Sequence, residues 1–262
     1  TRIIPDATRE RIAEIDWLFP HFADEAGRMR GAIHALVVET PSKRIVVDTC
    51  VGNDKERTAP PWNNLQTPFL SELEQAGYRP DSIDNVLCTH LHIDHVGWNT
   101  RLVDGKWVPT FPNARYLMGE IEFNHWHGGA SRGGYDQAAV MADSVMPVFD
   151  AGLVDLVDTQ HKLCDEISLI PTPGHTPGHV SVMIESQGER ALITGDFLHH
   201  PCQFAHPEWS SAPDDDPPLA IETRKSMYQR LADEPVLVIG THFATPTAGY
   251  LKKDGDRYRL DV

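Results

Sequence analysis

The sequence is poor in the features that would place it in several large classes of protein. It holds four cysteines, Cys50, Cys88, Cys164 and Cys202, scattered along 262 residues with no C-x-x-C pair. A disulfide framework is not expected in a chain of this size, and the spacing does not support a cysteine zinc site. The four read as small buried apolar side chains. Long apolar runs are missing, so no membrane partner is expected. Positive charge is scarce, 23 Lys and Arg against 38 Asp and Glu, for a net charge of −15. Such a surface repels phosphate backbones, and nucleic acid is not expected as a partner. There is no repeat at fixed period and no linker that would split the chain. No signal peptide is visible, so a cytoplasmic location is the expectation. The start at Thr1 leaves a removed leader, and with it a secreted or periplasmic location, open.

What is present suits a globular chain with a sizeable core: 40% hydrophobic and 23% charged residues. Residues 32–39 and 44–48 read as a hairpin closed by Thr40-Pro41-Ser42-Lys43. A helix is predicted over 67–76, with Thr67 as N-cap and Pro68 at its first position. Further helices are predicted over 120–127, 135–144 and 220–232. Strands are predicted over 86–89, 114–118, 167–170, 180–184, 191–194 and 236–239, and 213–218 reads as a solvated acidic loop. Strands and helices interleave in both halves, which predicts an α/β fold of two sheets covered outside by helices. One domain over 1–262 is expected, with 1–31 as an extension that lines a pocket or makes a dimer contact. The aromatics near the N-terminus make a homodimer an expectation.

The chemistry concentrates in Thr89-His90-Leu91-His92-Ile93-Asp94-His95. Three imidazoles and a carboxylate within six residues suit zinc and similar first-row ions. Four other places share one pattern, a short apolar strand followed by a potential ligand: Asp48, His175, Asp196 and His242. Glycines beside them allow close approach of the backbone. If these strand ends share an edge, five histidines and two aspartates suffice for two ions with open positions for water or substrate.

The set resembles the metallo-β-lactamase superfamily. The resemblance rests on 89–95, on Pro173-Gly174-His175-Thr176-Pro177-Gly178-His179, on Thr194-Gly195-Asp196 and on Gly240-Thr241-His242, in the family's order over about residues 32 to 243. It implies a four-layer αββα sandwich of two mixed sheets flanked by helices. It further implies one metal held by His90, His92 and His175, a second by Asp94, His95 and His242, and Asp196 bridging. Asp48 would orient a ligand histidine. Within the superfamily, 48–54, 111–114 and 196–204 are similar to the branch of acyl-homoserine-lactone lactonases and methyl-parathion-hydrolase-like enzymes. Lactonases of that branch carry a tyrosine three residues after the bridging aspartate. Here His199 stands there, able to donate the same hydrogen bond to a substrate carbonyl.

The expected function is therefore a di-metal hydrolase. Two divalent ions activate water to open a lactone or related small-molecule ester, and Asp94 or a metal-bound water passes a proton to the leaving group. Zinc is the first candidate, and Mn, Fe or Co suit the same ligands. Acyl-homoserine lactone is the first substrate, with organophosphate or aryl ester hydrolysis as a side activity in quorum-quenching style. Phe22, Trp98 and His200 are candidates for the pocket wall. A β-lactamase-type amide hydrolase and a mono-iron dioxygenase are the rival readings on the same fold, and a metal-free binding protein is a third.

Overall fold

The computed structural model describes residues 3–129 and 137–262. The chain forms two compact units, Ile33–Asp158 and Thr1–Ala32 with Thr159–Val262. The N-terminal stretch contributes α1 (Arg9–Ala13), where the Thr8 hydroxyl accepts the Arg11 N–H as an N-cap. Ile4, Ile12, Leu18 and Phe22 from this stretch are buried in the core of their unit.

In the Ile33–Asp158 unit, β1 (Leu36–Glu39) and β2 (Arg44–Val47) form the expected hairpin, with Leu36 opposite Val47 and Glu39 opposite Arg44. After α2 (Phe69–Gln75) comes β3 (Asn85–Leu87), parallel to β2 from Ile45–Asn85 to Val47–Leu87. That register brings the loops that begin at Asp48 and Cys88 off one edge. A hairpin of β4 (Thr100–Val103) and β5 (Lys106–Pro109) follows, which sequence reading did not anticipate. Next are β6 (Arg115–Gly119) and α3 (Glu120–His127). Beyond them α4 (Gln137–Val140) widens into a π-turn, Met141–Val145, and continues as α5 (Met146–Asp150) before β7 (Val154–Val157). The sheet order is β1-β2-β3-β6-β7, parallel except for the hairpin. Parallel strands are buried on both faces, and Val86 and Tyr116 pack in one core with Phe123 and Trp126 of α3 and with Val145 and Val148.

Two expectations in this unit are corrected. Thr67 does not cap α2. Its N–H and hydroxyl both go to the Asn53 side chain, so the helix starts at Phe69 with Pro68 in the cap position. The strand before the His cluster ends at Leu87, because the Thr89 N–H is taken by a carboxylate instead of the ladder. The predicted helix 135–144 begins outside the described residues. Its described part starts at Gln137.

The other unit holds β8 (Ile167–Pro171), β9 (Val180–Ser186) and β10 (Glu189–Ile193). These are followed by α6 (Cys202–Ala205), α7 (Pro217–Leu231), β11 (Val236–Ile239), β12 (Ala248–Asp254) and β13 (Arg257–Asp261). The order is β13-β12-β11-β10-β9-β8. Only β10 and β11 are parallel, in register from Arg190–Val236 to Ile193–Ile239, so this sheet is also mixed. The strands end together, and Thr194-Gly195-Asp196 and Gly240-Thr241-His242 leave the same edge. α7 is capped by Asp216, whose carboxylate accepts the Leu219 N–H, with Pro217 at the first helical position. Its Met227, Tyr228 and Leu231 pack on Leu192, Val236 and Val238. Among the described residues no helix is long and apolar enough to cross a membrane.

Candidate metal centre

In the Ile33–Asp158 unit the loop after β2 fixes the His cluster. Asp48 sits at φ 55° and Cys50 at φ 53°, left-handed backbone that non-glycine residues seldom adopt and that gathers at functional sites. The bend turns the Asp48 carboxylate inward. Oδ1 accepts the Thr89 N–H at 2.8 Å; Oδ2 accepts the Thr89 hydroxyl at 2.9 Å and lies 2.9 Å from His95 Nδ1. Because the Thr89 proton is committed to Asp48, the same hydroxyl oxygen receives the proton of His90 Nδ1 at 3.1 Å. His90 Nε2 is then a lone pair, and it faces His92 Nδ1 at 3.2 Å. His95 Nε2 lies 3.6 Å from Asp94 Oδ1. Imidazole nitrogens and a carboxylate oxygen brought this close form a donor set that fits a divalent cation.

The backbone of this loop is clamped from behind. Glu122 Oε1 accepts the Leu91 N–H at 3.1 Å and the Trp126 indole N–H at 2.6 Å, and Gln137 Nε2 donates to the Leu91 carbonyl at 2.7 Å. Glu122 and Gln137 are almost fully buried. Sequence reading missed both, because nothing local distinguishes a buried carboxylate on a helix from a solvated one. Gly97 allows the two loops to meet: a Cβ there would lie 1.9 Å from the Val51 carbonyl. Behind this wall is a cavity of about 540 Å³ lined by Val37, Cys50, Trp62, Phe69, Leu73 and Trp98. Trp98 stacks on Phe69 with ring centroids 5.2 Å apart. Burial, then the Asp48 charge, pushes the Cys50 thiol up to about 12, so it stays protonated and is no nucleophile.

In the other unit His175, Asp196, His199 and His242 converge. Asp196 Oδ2 lies 3.6 Å from His175 Nε2 and 3.2 Å from His199 Nε2, and His242 Nε2 is 3.2 Å from both Asp196 oxygens. His175, Asp196 and His199 place one ligand atom each within 4.8 Å of one another. His242 Nδ1 donates to the Ala32 carbonyl at 2.9 Å, which leaves Nε2 as the lone pair.

His179 is also tied to this cluster. Its Nε2 accepts the Asp196 N–H at 2.7 Å. Ser181 Oγ donates to the Thr194 carbonyl, so it receives the Thr172 hydroxyl at 3.0 Å, and Thr172 in turn receives His179 Nδ1–H at 2.8 Å. A single proton arrangement satisfies the whole chain. Gly195, at φ 57°, makes room for it, since a Cβ would meet His179 Nε2 at 2.6 Å.

Two residues in this unit depart from expectation. Phe22, a candidate for the pocket wall, is fully buried against Phe243. His200 is buried with both nitrogens engaged: Nε2 donates to the Phe22 carbonyl at 2.8 Å and Nδ1 accepts the Cys202 N–H at 3.1 Å. The acidic loop is corrected as well. Asp214 is fully buried, 2.9 Å from His175 Nδ1, and its burial raises its carboxyl above the usual range.

The sequence profile of the Metallo-beta-lactamase superfamily matches residues 28–242. The chain belongs to the metallo-β-lactamase superfamily. It has that superfamily's α/β fold, with mixed sheets flanked by helices. Among curated relatives, the N-acyl homoserine lactonase AiiA of Bacillus thuringiensis subsp. kurstaki is 24% identical over 174 residues, covering 66% of this chain and 61% of that one. A probable metallo-hydrolase of Mycobacterium tuberculosis is 25% identical over 195 residues, covering 64% and 57%. The chain thus spans about three fifths of the length of these relatives. Among solved structures, AidC, a dizinc quorum-quenching lactonase in complex with a product, matches with a TM-score of 0.78 at 22% identity, covering 99% of this chain and 87% of that one. The hydrolase AbOPH of the β-lactamase superfamily matches with a TM-score of 0.78 at 26% identity, covering 99% and 89%.

Proposed function

We propose that the chain is a di-metal hydrolase that opens a lactone or a related carboxylic ester. The carrying observation is the tautomer pattern. His90, His95, His175 and His242 each have Nδ1 held by a threonine hydroxyl, a carboxylate or a carbonyl, which leaves Nε2 for a cation. In this reading His90, His92 and His175 would hold one ion and Asp94, His95 and His242 the other, with Asp196 as a further ligand. The superfamily match across 28–242 and the dizinc neighbour support two ions, zinc the first candidate. When bound, such ions supply Lewis acidity and activate water near neutral pH.

The chain's own groups do the rest. His199 donates through Nε2 to the substrate carbonyl oxygen as negative charge develops there. Asp94 takes up the proton that the attacking water gives up and passes it to the departing alkoxide oxygen. The cavity faced by Trp62, Phe69 and Trp98 takes the apolar group of the ester. The lactonase relatives favour acyl-homoserine lactone as the first substrate, and the resemblance of residues 196–204 to methyl-parathion-hydrolase-like enzymes is the reason to include a phosphotriester.

The test is a hydrolysis panel of acyl-homoserine lactones of several chain lengths, aryl esters, a phosphotriester and a β-lactam, with metal content measured on the same sample. Lactone opening that vanishes on chelation and returns with Zn²⁺ is the expected result. Turnover of the β-lactam alone would favour the amide-hydrolase reading. One iron per chain with no ester turnover would favour a dioxygenase.

A further inference from the structure

Asp214 and Ser211 lie in one short turn and touch two different imidazoles of the Asp196 cluster. Asp214 Oδ1 is 2.9 Å from His175 Nδ1, and Ser211 Oγ is 2.7 Å from His199 Nδ1. The turn closes on itself: the Ser211 N–H donates to Asp214 Oδ2 at 2.9 Å and the Asp214 N–H to the Ser211 carbonyl at 3.0 Å. It also grips the backbone of the His175 loop, since the Asp215 N–H donates to the His175 carbonyl and the Asp216 N–H to the Gly174 carbonyl, each at 2.9 Å.

Two fully buried side chains hold the turn from outside. Gln203 Oε1 accepts the backbone N–H groups of His199 and His200, which forces its amide nitrogen toward the Trp209 carbonyl at 2.8 Å and Ser211 Oγ at 3.3 Å. Arg224 donates to the carbonyls of Phe197, Pro207 and Trp209 and lies 3.6 Å from Asp214 Oδ2. A charged arginine and a carboxylate are costly to bury, and a helix residue ten positions beyond Asp214 has no local need for either. The arrangement makes sense if its product is orientation. With Nδ1 of both rings occupied, both Nε2 atoms point at Asp196 Oδ2.

We propose that the Ser211–Asp214 turn is one positioning element for His175 and His199, setting the proton tautomer of His175 and the ring direction of both, and so the metal affinity of this cluster. The proposal rests on the reading of His175 and Asp196 as ligands; His199 bears on the site through Asp196, whose Oδ2 lies 3.2 Å from its Nε2. Supporting groups of this kind typically change metal affinity 10- to 100-fold when lost.

The test compares wild type with Asp214→Asn, Ser211→Ala and the double variant. Zinc affinity is measured by competition with a chromophoric chelator, and histidine tautomers by ¹⁵N NMR of metal-free protein. Ser211→Ala removes only a hydroxyl, so the test survives if Asp214→Asn fails to fold beside Arg224. The expected results are a proton on His175 Nδ1 in wild type, displaced in Asp214→Asn, and zinc binding about 10- to 100-fold weaker in each folded single variant. The double variant should lose less than the product of the two, because they act through one turn. Tight zinc binding unchanged in both variants would overturn the proposal and leave the metal reading standing. A wild type with the His175 tautomer in place but no zinc affinity would overturn the metal reading, and the affinity claim with it.

Discussion

Asp48 holds His95 and Thr89 with the same carboxylate oxygen, Oδ2 lying 2.9 Å from His95 Nδ1 and 2.9 Å from Thr89 Oγ1. One side chain on β2's exit loop thus sets the direction of His95 and, through Thr89, the tautomer of His90. Asp48→Asn keeps the shape and the tolerance for left-handed backbone but removes the charge. Metal affinity is expected to fall about 10- to 100-fold with the circular dichroism spectrum retained. Chelator competition measures it, and an unaltered affinity would count against the role given to Asp48.

Lys55 and Arg57 converge on Asp143 with side chains 0%, 1% and 13% exposed. Arg57 reaches Asp143 Oδ2 at 2.6 Å and Oδ1 at 2.8 Å; Lys55 also donates to Thr100 Oγ1 at 2.8 Å and stands 3.7 Å from the centroid of the Trp107 ring. Asp143→Ala leaves two buried cations without their carboxylate and should cost about 3–5 kcal/mol in denaturant unfolding at pH 7. Burial already lowers the Lys55 ammonium to about 8. The deficit should therefore be smaller at pH 9, where Lys55 sheds its proton in the folded chain. An equal deficit at both pH values would show that Lys55 does not carry it.

His200 gives an acid limit to stability. Burial lowers its imidazole to about 4, and its two hydrogen bonds fit only the neutral ring with a proton on Nε2. The unfolded chain takes up a proton near the ordinary value of 6.5. The stabilisation is therefore complete above about pH 6.5 and lost as pH falls toward 4, roughly 3 kcal/mol in full. Urea unfolding of wild type and His200→Gln at pH 7 and pH 4.5 measures the difference. The variant should show the shallower decline, and parallel declines would contradict the assignment.

Local pattern carried much of this molecule. The alternation of short apolar strands with Asp48, His175, Asp196 and His242 could be read residue by residue, and β11 falls on the expected residues 236–239. Long-range partnership could not be read. Asp214 looked solvated because its neighbours are acidic and proline-rich, yet its partner His175 lies 39 residues away. Thr67 looked like a helix cap because Asn53, which takes its N–H, lies 14 residues upstream. Phe22 and His200, expected on a pocket wall, are 178 residues apart in sequence and bonded in the core. Gln203 and Glu122 carry no periodic signal, since their roles come from the backbones they touch.

The π-turn at Met141–Val145 fixes the phase of everything after it. An α-helix turns about 100° per residue. Deleting a single residue there would let the segment wind as plain α-helix and rotate Asp143 and Ser144 by about that angle relative to Val148 and the rest of α5. The helix would then have to choose between its apolar seat and its contact with Lys55 and Arg57. The wide turn is a spacer one residue long.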